Sequence, residues 1–185
     1  FDPDNLTASE RLVSETGHNM FCSGTTNLAD GRLLVVGGSG ESNTSLYDPA
    51  SNTWSTAARL NIPRAYNANT LLADGSVLTL GGSWDGGVGG KHGEIWSATG
   101  GWRRLAGLPI DSMLSPDSGI TWVRDSHLWL IPAGNGKVFH AGPGQRMHWL
   151  DTRGQGAVEV VGQRGDDELS ILGNTVMYDT GKVLK

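Results

Sequence analysis

The sequence predicts an all-β protein built from a repeated unit of about 44 residues. Residues 30–38 read DGRLLVVGG, and residues 74–82, which lie 44 positions later, read DGSVLTLGG. A related segment, NGKVFHAGP, spans residues 135–143, and residues 180–185 begin a further copy. Each copy joins a turn dipeptide to a short apolar run, which is typical of a hairpin turn followed by a strand.

Two further markers recur within the unit. An aromatic pair follows the strand run, namely Tyr47 with Trp54 and then Trp96 with Trp102. Glycine pairs precede the aromatic pairs, at residues 37–38 and 81–82. A unit of four short strands with these markers resembles one blade of a kelch-type β-propeller. We expect the glycines to allow close backbone approach and the aromatic rings to fill the wedge between neighbouring blades.

The spacing of the units predicts an incomplete ring. The turn glycines at 31, 75, 136 and 181 are 44, 61 and 45 positions apart, and the long interval is assigned to insertions around residues 107–119. A propeller needs about four to eight blades to close, whereas this sequence holds about three and a half of an expected seven. Because an open propeller exposes strand edges, we expect residues 1–185 to be part of a single propeller domain, incomplete at both ends, that the remaining blades of the same polypeptide complete.

The composition excludes several classes of partner. The 185 residues carry a formal net charge of -5 and are 37% hydrophobic. No basic stripe is available for a nucleic-acid backbone, and no apolar run approaches the roughly 20 residues that span a bilayer. The single cysteine, Cys22, rules out an internal disulfide framework.

Chemically reactive side chains recur at one position of the repeat, which we call the reactive position. It lies nine residues before each turn glycine and holds Cys22, Tyr66, His127 and Leu172 in successive units. Equivalent positions of neighbouring repeats lie side by side, and the strand before the turn is expected to be the innermost of its blade. The sequence therefore predicts a thiol, a phenol and an imidazole around one axis, although each of them alone is more typical of packing than of catalysis.

The short sequence motifs around these residues resemble those of a known protein family. Residues 18–24 read HNMFCSG, residues 63–66 read PRAY, and residues 81–87 read GGSWDGG. In order and spacing they resemble the copper radical oxidases of the galactose oxidase-like kind, over nearly the whole chain. Asn19 and Ser23 depart from the family pattern, which has Asp and Pro there, without touching the reactive positions.

The resemblance implies a cofactor made from the protein itself and the activity that depends on it. The Cys22 sulfur would be bonded to the Tyr66 ring, the Tyr66 oxygen would bind copper, and Trp84 would stack over the thioether and contact substrate. A secreted enzyme of this kind oxidises a primary alcohol, such as the C6 hydroxyl of galactose, to an aldehyde while O2 becomes H2O2. The family's axial tyrosine and two copper-binding histidines would follow residue 185.

Arg124 resembles the arginine with which the family grips two sugar hydroxyls. Counting back from His127 without a gap places Val123 there instead, and an alternative is a surface arginine paired with a neighbouring carboxylate such as Asp125. His127 and His18 are expected to be framework residues. The remaining histidines, at 92, 140 and 148, are expected to be surface or packing residues.

Two alternative functions stay open at this point. One is a glyoxal-oxidase-like enzyme that acts on aldehydes, although the presence of Trp84 favours the galactose oxidase-like branch. The other is a non-catalytic kelch propeller that binds protein or glycan through its channel face.

Overall fold

A computed structural model describes residues 1–84, 88–116, 124–168 and 170–185. It contains three antiparallel sheets of four strands each and one sheet of two strands. Each sheet is a meander in which neighbours in sequence are neighbours in space. Blade 1 contains β1 (Gly24–Asn27), β2 (Leu33–Val36), β3 (Thr44–Asp48) and β4 (Thr53–Thr56). Blade 2 contains β5 (Ala68–Leu71), β6 (Val77–Leu80), β7 (Glu94–Ser97) and β8 (Gly101–Arg104). Blade 3 contains β9 (Trp129–Pro132), β10 (Lys137–Gly142), β11 (Arg146–Asp151) and β12 (Ala157–Gln163).

A short hairpin follows the third blade. It consists of β13 (Val176–Asp179) and β14 (Lys182–Leu184), and both strands are exposed along their whole length. A 3-10 helix, Ile110–Met113, lies between β8 and β9, within the long interval that the repeat spacing predicted. The all-β, kelch-type propeller fold that the sequence predicts is confirmed, with three blades and the start of another.

The first strand of each blade lies at the hub. β1 is adjacent to β5, and β5 is adjacent to β9. The strand before each turn is therefore the innermost one, as the repeat predicted.

The glycine pairs allow one blade to press its backbone against the next. A Cβ atom added to Gly37 would run into the carbonyl oxygen of Arg64, and one added to Gly81 would run into that of Asp125. Both glycines also have positive φ, at 68° and 72°, which other residues rarely adopt. The second glycine of the latter pair, Gly82, donates its amide to the Asp125 carbonyl at 3.0 Å.

Apolar side chains fill the spaces between blades, and one of the aromatic pairs has the predicted role. Trp96 and Trp102 are opposite one another on β7 and β8 and are buried in a cluster with residues of blade 1. The Trp102 indole also donates to the Thr44 hydroxyl of blade 1 at 3.1 Å. The other pair, Tyr47 and Trp54, packs ring to ring at 5.0 Å on the outer strands of blade 1.

Among the helices within the part of the chain that the structure describes, none is long and apolar enough to cross a membrane.

Candidate functional site

The reactive position of the repeat has the same unusual backbone in all three blades. Cys22, Tyr66 and His127 each lie two residues before the innermost strand of their blade and have φ values of 62°, 60° and 54°. This left-handed conformation costs roughly 1–2 kcal/mol for a residue with a Cβ, so the surrounding structure must impose it. Its recurrence shows that the blades present these three residues in the same way.

A chain of backbone hydrogen bonds joins the three residues around the hub. The Tyr66 amide donates to the Cys22 carbonyl at 2.7 Å, and the His127 amide donates to the Tyr66 carbonyl at 3.2 Å. The fourth member of the predicted series, Leu172, is 98% exposed, and among the described residues the chain of bonds ends at His127. The sequence prediction therefore holds for the thiol, the phenol and the imidazole.

The side chains of Cys22 and Tyr66 also meet. The hydrogen bond that the phenol donates to the Cys22 sulfur raises the pKa of Tyr66, and partial burial raises it further. Cys22 is a free cysteine and is half-buried. A protonated phenol is thus held against a thiol that lies 44 positions away in sequence.

Two further rings contact Tyr66. The Trp84 ring centroid lies 4.7 Å from that of Tyr66 with the planes tilted by 51°, so the contact is a tilted packing rather than a parallel stack. The His127 ring meets Tyr66 edge-on at 5.1 Å and 65°. The last three residues of the sequence word around Trp84, at 85–87, lie outside the described residues.

A buried ion pair supports the segment that leads to Tyr66. Arg64 and Glu94 are fully buried and lie 2.9 Å apart. Burial lowers the pKa of the Arg64 guanidinium, and the Glu94 carboxylate opposes that shift. The Glu94 carboxylate also accepts bonds from the amides of Asn61 and Ile62, at 2.9 and 3.0 Å. Sequence reasoning missed this pair, although Arg64 lies within the quoted word PRAY.

His18 has the framework role that the sequence suggested. Its Nε2 lies 2.7 Å from the Gly37 carbonyl, which can only accept, so Nε2 carries the proton. Its Nδ1 then accepts from the Ser45 hydroxyl at 2.8 Å. Both ring nitrogens are engaged, so His18 anchors the loop before Cys22 to blade 1.

Arg124 does not pair with Asp125, the neighbouring carboxylate named for it above. Asp125 is fully buried and accepts bonds from the Ser83 amide and hydroxyl at 2.9 and 2.6 Å. The Arg124 Nε instead donates to the Ser115 carbonyl at 2.7 Å, and the Ser115 amide donates back to the Arg124 carbonyl. Val123, the alternative occupant of the substrate position, lies outside the described residues.

Two of the remaining histidines form a pair that the sequence did not indicate. His140 and His148 are opposite one another on β10 and β11, are fully buried, and approach to 3.0 Å between their Nδ1 atoms. One ring must donate and the other accept, so the accepting ring is neutral, and burial lowers the pKa of both. Burial, followed by the proximity of His148, lowers the pKa of His140 to about 3. His92 is half-buried, and its Nδ1 accepts from the Ile110 amide at 3.2 Å.

No group of three or more metal-binding side chains occurs within residues 1–84, 88–116, 124–168 and 170–185. Of the predicted site residues, the structure brings Cys22, Tyr66 and Trp84 together, with the expected framework residue His127 beside Tyr66. Arg124 is anchored at the Ser115 backbone.

The chain is similar to known proteins over its whole length. No family model matches the chain. The whole chain is 38% identical over 191 residues to two galactose oxidases of Gibberella zeae, and it spans 28% of the length of each of them. A solved structure, described as a novel fungal alcohol oxidase of the AA5 family in complex with copper, superposes with a TM-score of 0.88 over 97% of the chain and 38% of that protein, at 37% identity. The chain is therefore similar along its whole length to galactose oxidase and to a copper-binding fungal alcohol oxidase.

The galactose oxidase-like chain thus corresponds to a part of longer relatives, and the resemblance drawn from its sequence words is confirmed. The sequence motifs did not reveal the residues that hold the site, because Glu94 belongs to no motif and nothing in GGSWDGG marks Ser83 as a buried hydrogen-bonding residue. One signal was available for Asp125. It occupies the position two residues before His127, and Arg64 occupies the same position before Tyr66.

Proposed function

We propose that this chain provides the radical-forming half of a copper radical oxidase active site, with Cys22 and Tyr66 joined as a thioether and Trp84 covering it. The observation that carries the proposal is the contact between the Cys22 and Tyr66 side chains, which come from neighbouring blades. A sulfur that accepts a hydrogen bond from a phenol lies near the ring carbon beside the C–O bond. A thioether at that carbon spreads an unpaired electron of the phenol over the sulfur.

The bond can form with balanced chemistry. Joining the two side chains breaks the Cys22 S–H bond and one Tyr66 ring C–H bond and creates a C–S bond. The two electrons and two protons that are released reduce one O2 to H2O2. The protein therefore loses two hydrogen atoms.

The residues present fit copper as one part of a ligand set. The phenolate oxygen of Tyr66 would bind the metal, since copper accepts oxygen, nitrogen and sulfur donors. His18 is occupied by its own hydrogen bonds, so a further tyrosine and two histidines that would complete the ligand set would come from other blades of a longer catalytic domain. Copper, when bound, supplies a one-electron redox partner next to the tyrosine.

In this proposal Arg124 binds the substrate and Trp84 shields the oxidised Tyr66. The overall reaction converts a primary alcohol and O2 to an aldehyde and H2O2, with the oxidised Tyr66 taking a hydrogen atom from the alcohol carbon. Contact with Trp84 contributes about 0.5–1.5 kcal/mol, which is too little to stabilise a tyrosyl radical by itself, so the indole serves mainly to exclude water and reductants. Arg124 would hold sugar hydroxyls with its guanidinium. We also propose that the parent protein is secreted and acts on an alcohol or the galactose C6 hydroxyl.

Denaturing mass spectrometry of the full-length protein tests the proposal. After copper loading in air, we expect a loss of about 2 Da that is absent in Cys22→Ser, and a thiol at residue 22 that no longer reacts with an alkylating reagent. An intact, alkylatable thiol after this treatment would instead support a non-catalytic kelch propeller. Comparing a primary alcohol with an aldehyde as substrate separates the galactose oxidase-like activity from the glyoxal-oxidase-like one.

A further inference from the structure

Tyr66 and Trp84 are neighbours because the residues before them form a backbone bridge. Ala65 and Ser83 make an isolated parallel bridge, and the Ala65 amide donates to the Gly82 carbonyl at 3.1 Å. The next residue on each side is therefore placed beside its counterpart, which gives the 4.7 Å contact between the two rings. The position of Trp84 thus depends on how firmly Ser83 is held.

The third blade holds Ser83 through a single carboxylate. The Ser83 amide donates to Asp125 Oδ1 at 2.9 Å, and its hydroxyl donates to Asp125 Oδ2 at 2.6 Å. The amide of the preceding residue, Gly82, donates to the Asp125 carbonyl at 3.0 Å. Both Asp125 and Ser83 are fully buried. Three bonds from one residue leave this backbone little freedom to turn.

Arg64, in the second blade, holds the backbone of residues 81–83 from the other side. Arg64 donates to the Gly81 carbonyl at 2.9 Å and to the His92 carbonyl, also at 2.9 Å. Its positive charge also interacts favourably with the buried Asp125 carboxylate, which reduces the cost of burying that charge. Arg64 and Asp125 thus hold residues 81–83 from opposite sides.

We propose that Asp125 is a positioning residue that fixes the Trp84 indole against Tyr66 by way of Ser83. This inference rests on the proposed function, because the indole matters if Tyr66 carries a radical. Asp125 touches neither substrate nor metal in this role. It controls how completely Trp84 covers the oxidised ring.

Fluorine NMR of the copper-free, full-length protein labelled with 5-fluorotryptophan reports on the indole directly. Trp84→Phe identifies the Trp84 resonance by its loss. We expect that resonance to move and broaden in Ser83→Ala and in Asp125→Ala. Asp125→Asn keeps an acceptor for the Ser83 amide and can donate to its hydroxyl, so it should restore the original resonance.

A matched control comes from another buried hydroxyl. Thr44→Val removes the acceptor of the Trp102 indole bond while keeping the side-chain shape, and it should leave the Trp84 resonance in place. A Trp84 resonance that is unchanged in Ser83→Ala and Asp125→Ala would overturn the positioning role. So would an Asp125→Asn protein that behaves like Asp125→Ala, because the carboxylate would then act by its charge.

The lifetime of the radical absorbance in the oxidised protein is the second measurement. Loss of a hydrogen bond to a charged group corresponds to about tenfold in the fraction of misplaced indole, so Ser83→Ala should shorten the lifetime by up to about tenfold, towards that of Trp84→Phe. The mass loss of about 2 Da should remain complete. A parent protein without that mass loss would refute the proposed function, whereas the fluorine spectra would still decide the position of Trp84.

Discussion

The buried pair of Arg64 and Glu94 gives a quantitative test of what supports the site. Arg64→Met leaves the Glu94 carboxylate buried with its partner removed, although it keeps the two backbone amides that it accepts from. Breaking a buried ion pair from one side costs about 3–5 kcal/mol. We expect Glu94→Leu to cost a similar amount, because the guanidinium would stay buried without the carboxylate that lies 2.9 Å from it.

A double-mutant cycle separates the pair from its surroundings. The double variant Arg64→Met/Glu94→Leu removes both charges of the pair, although Asp125 still loses the nearby guanidinium, so its loss of unfolding free energy should be smaller than the sum of the single losses by at least about 1.5 kcal/mol. Urea unfolding of the full-length protein gives each value from the midpoint and slope. Arg32→Met, which breaks an exposed pair with Asp30 at 2.7 Å, is the control and should cost less than about 1 kcal/mol.

Single losses below about 1 kcal/mol, or fully additive losses, would refute this reasoning. The first result would mean that water or other groups compensate the charge that is left behind. The second would mean that the two side chains act independently, despite the 2.9 Å contact between them.

Two other predictions concern substrate binding and pH. Arg124→Ala should raise KM for sugars much more than for simple alcohols in steady-state assays, and equal effects would favour Val123 as the residue at that position. His140, with its pKa lowered to about 3 by burial, is neutral in the fold but takes up a proton near pH 6.5 when unfolded. His140 should therefore lower the free energy of unfolding by about 1.4 kcal/mol for each pH unit below about 6.5, down to about pH 3. The double variant His140→Leu/His148→Leu should lose this dependence, and an unchanged slope would contradict it.

The sequence predicted what the repeat itself determines. The glycine pairs and the turn spacing identified the innermost strands, and the shared position of Cys22 and Tyr66 predicted that their side chains meet. Each of these depends on residues at a fixed offset within one unit. The same reasoning placed Leu172 in the series, but its side chain is exposed at the end of the described chain of hydrogen bonds.

Contacts between units were harder to predict, because they depend on how two blades are aligned. Asp125 appeared to be a surface partner of Arg124, and only the packing of blade 3 against residue 83 shows its actual bonds. His140 and His148 were expected to be surface or packing residues. Their 3.0 Å approach follows from the register of β10 and β11, which the sequence words do not specify.

The left-handed backbone shared by residues 22, 66 and 127 has a consequence for how such a hub can change over time. Main-chain geometry, rather than side-chain identity, determines the direction in which each blade presents its reactive group. A single substitution at one of these positions can therefore exchange one functional group for another without altering the surrounding strands. A new chemistry can arise in this ring one blade at a time, while the architecture that supports it is inherited intact.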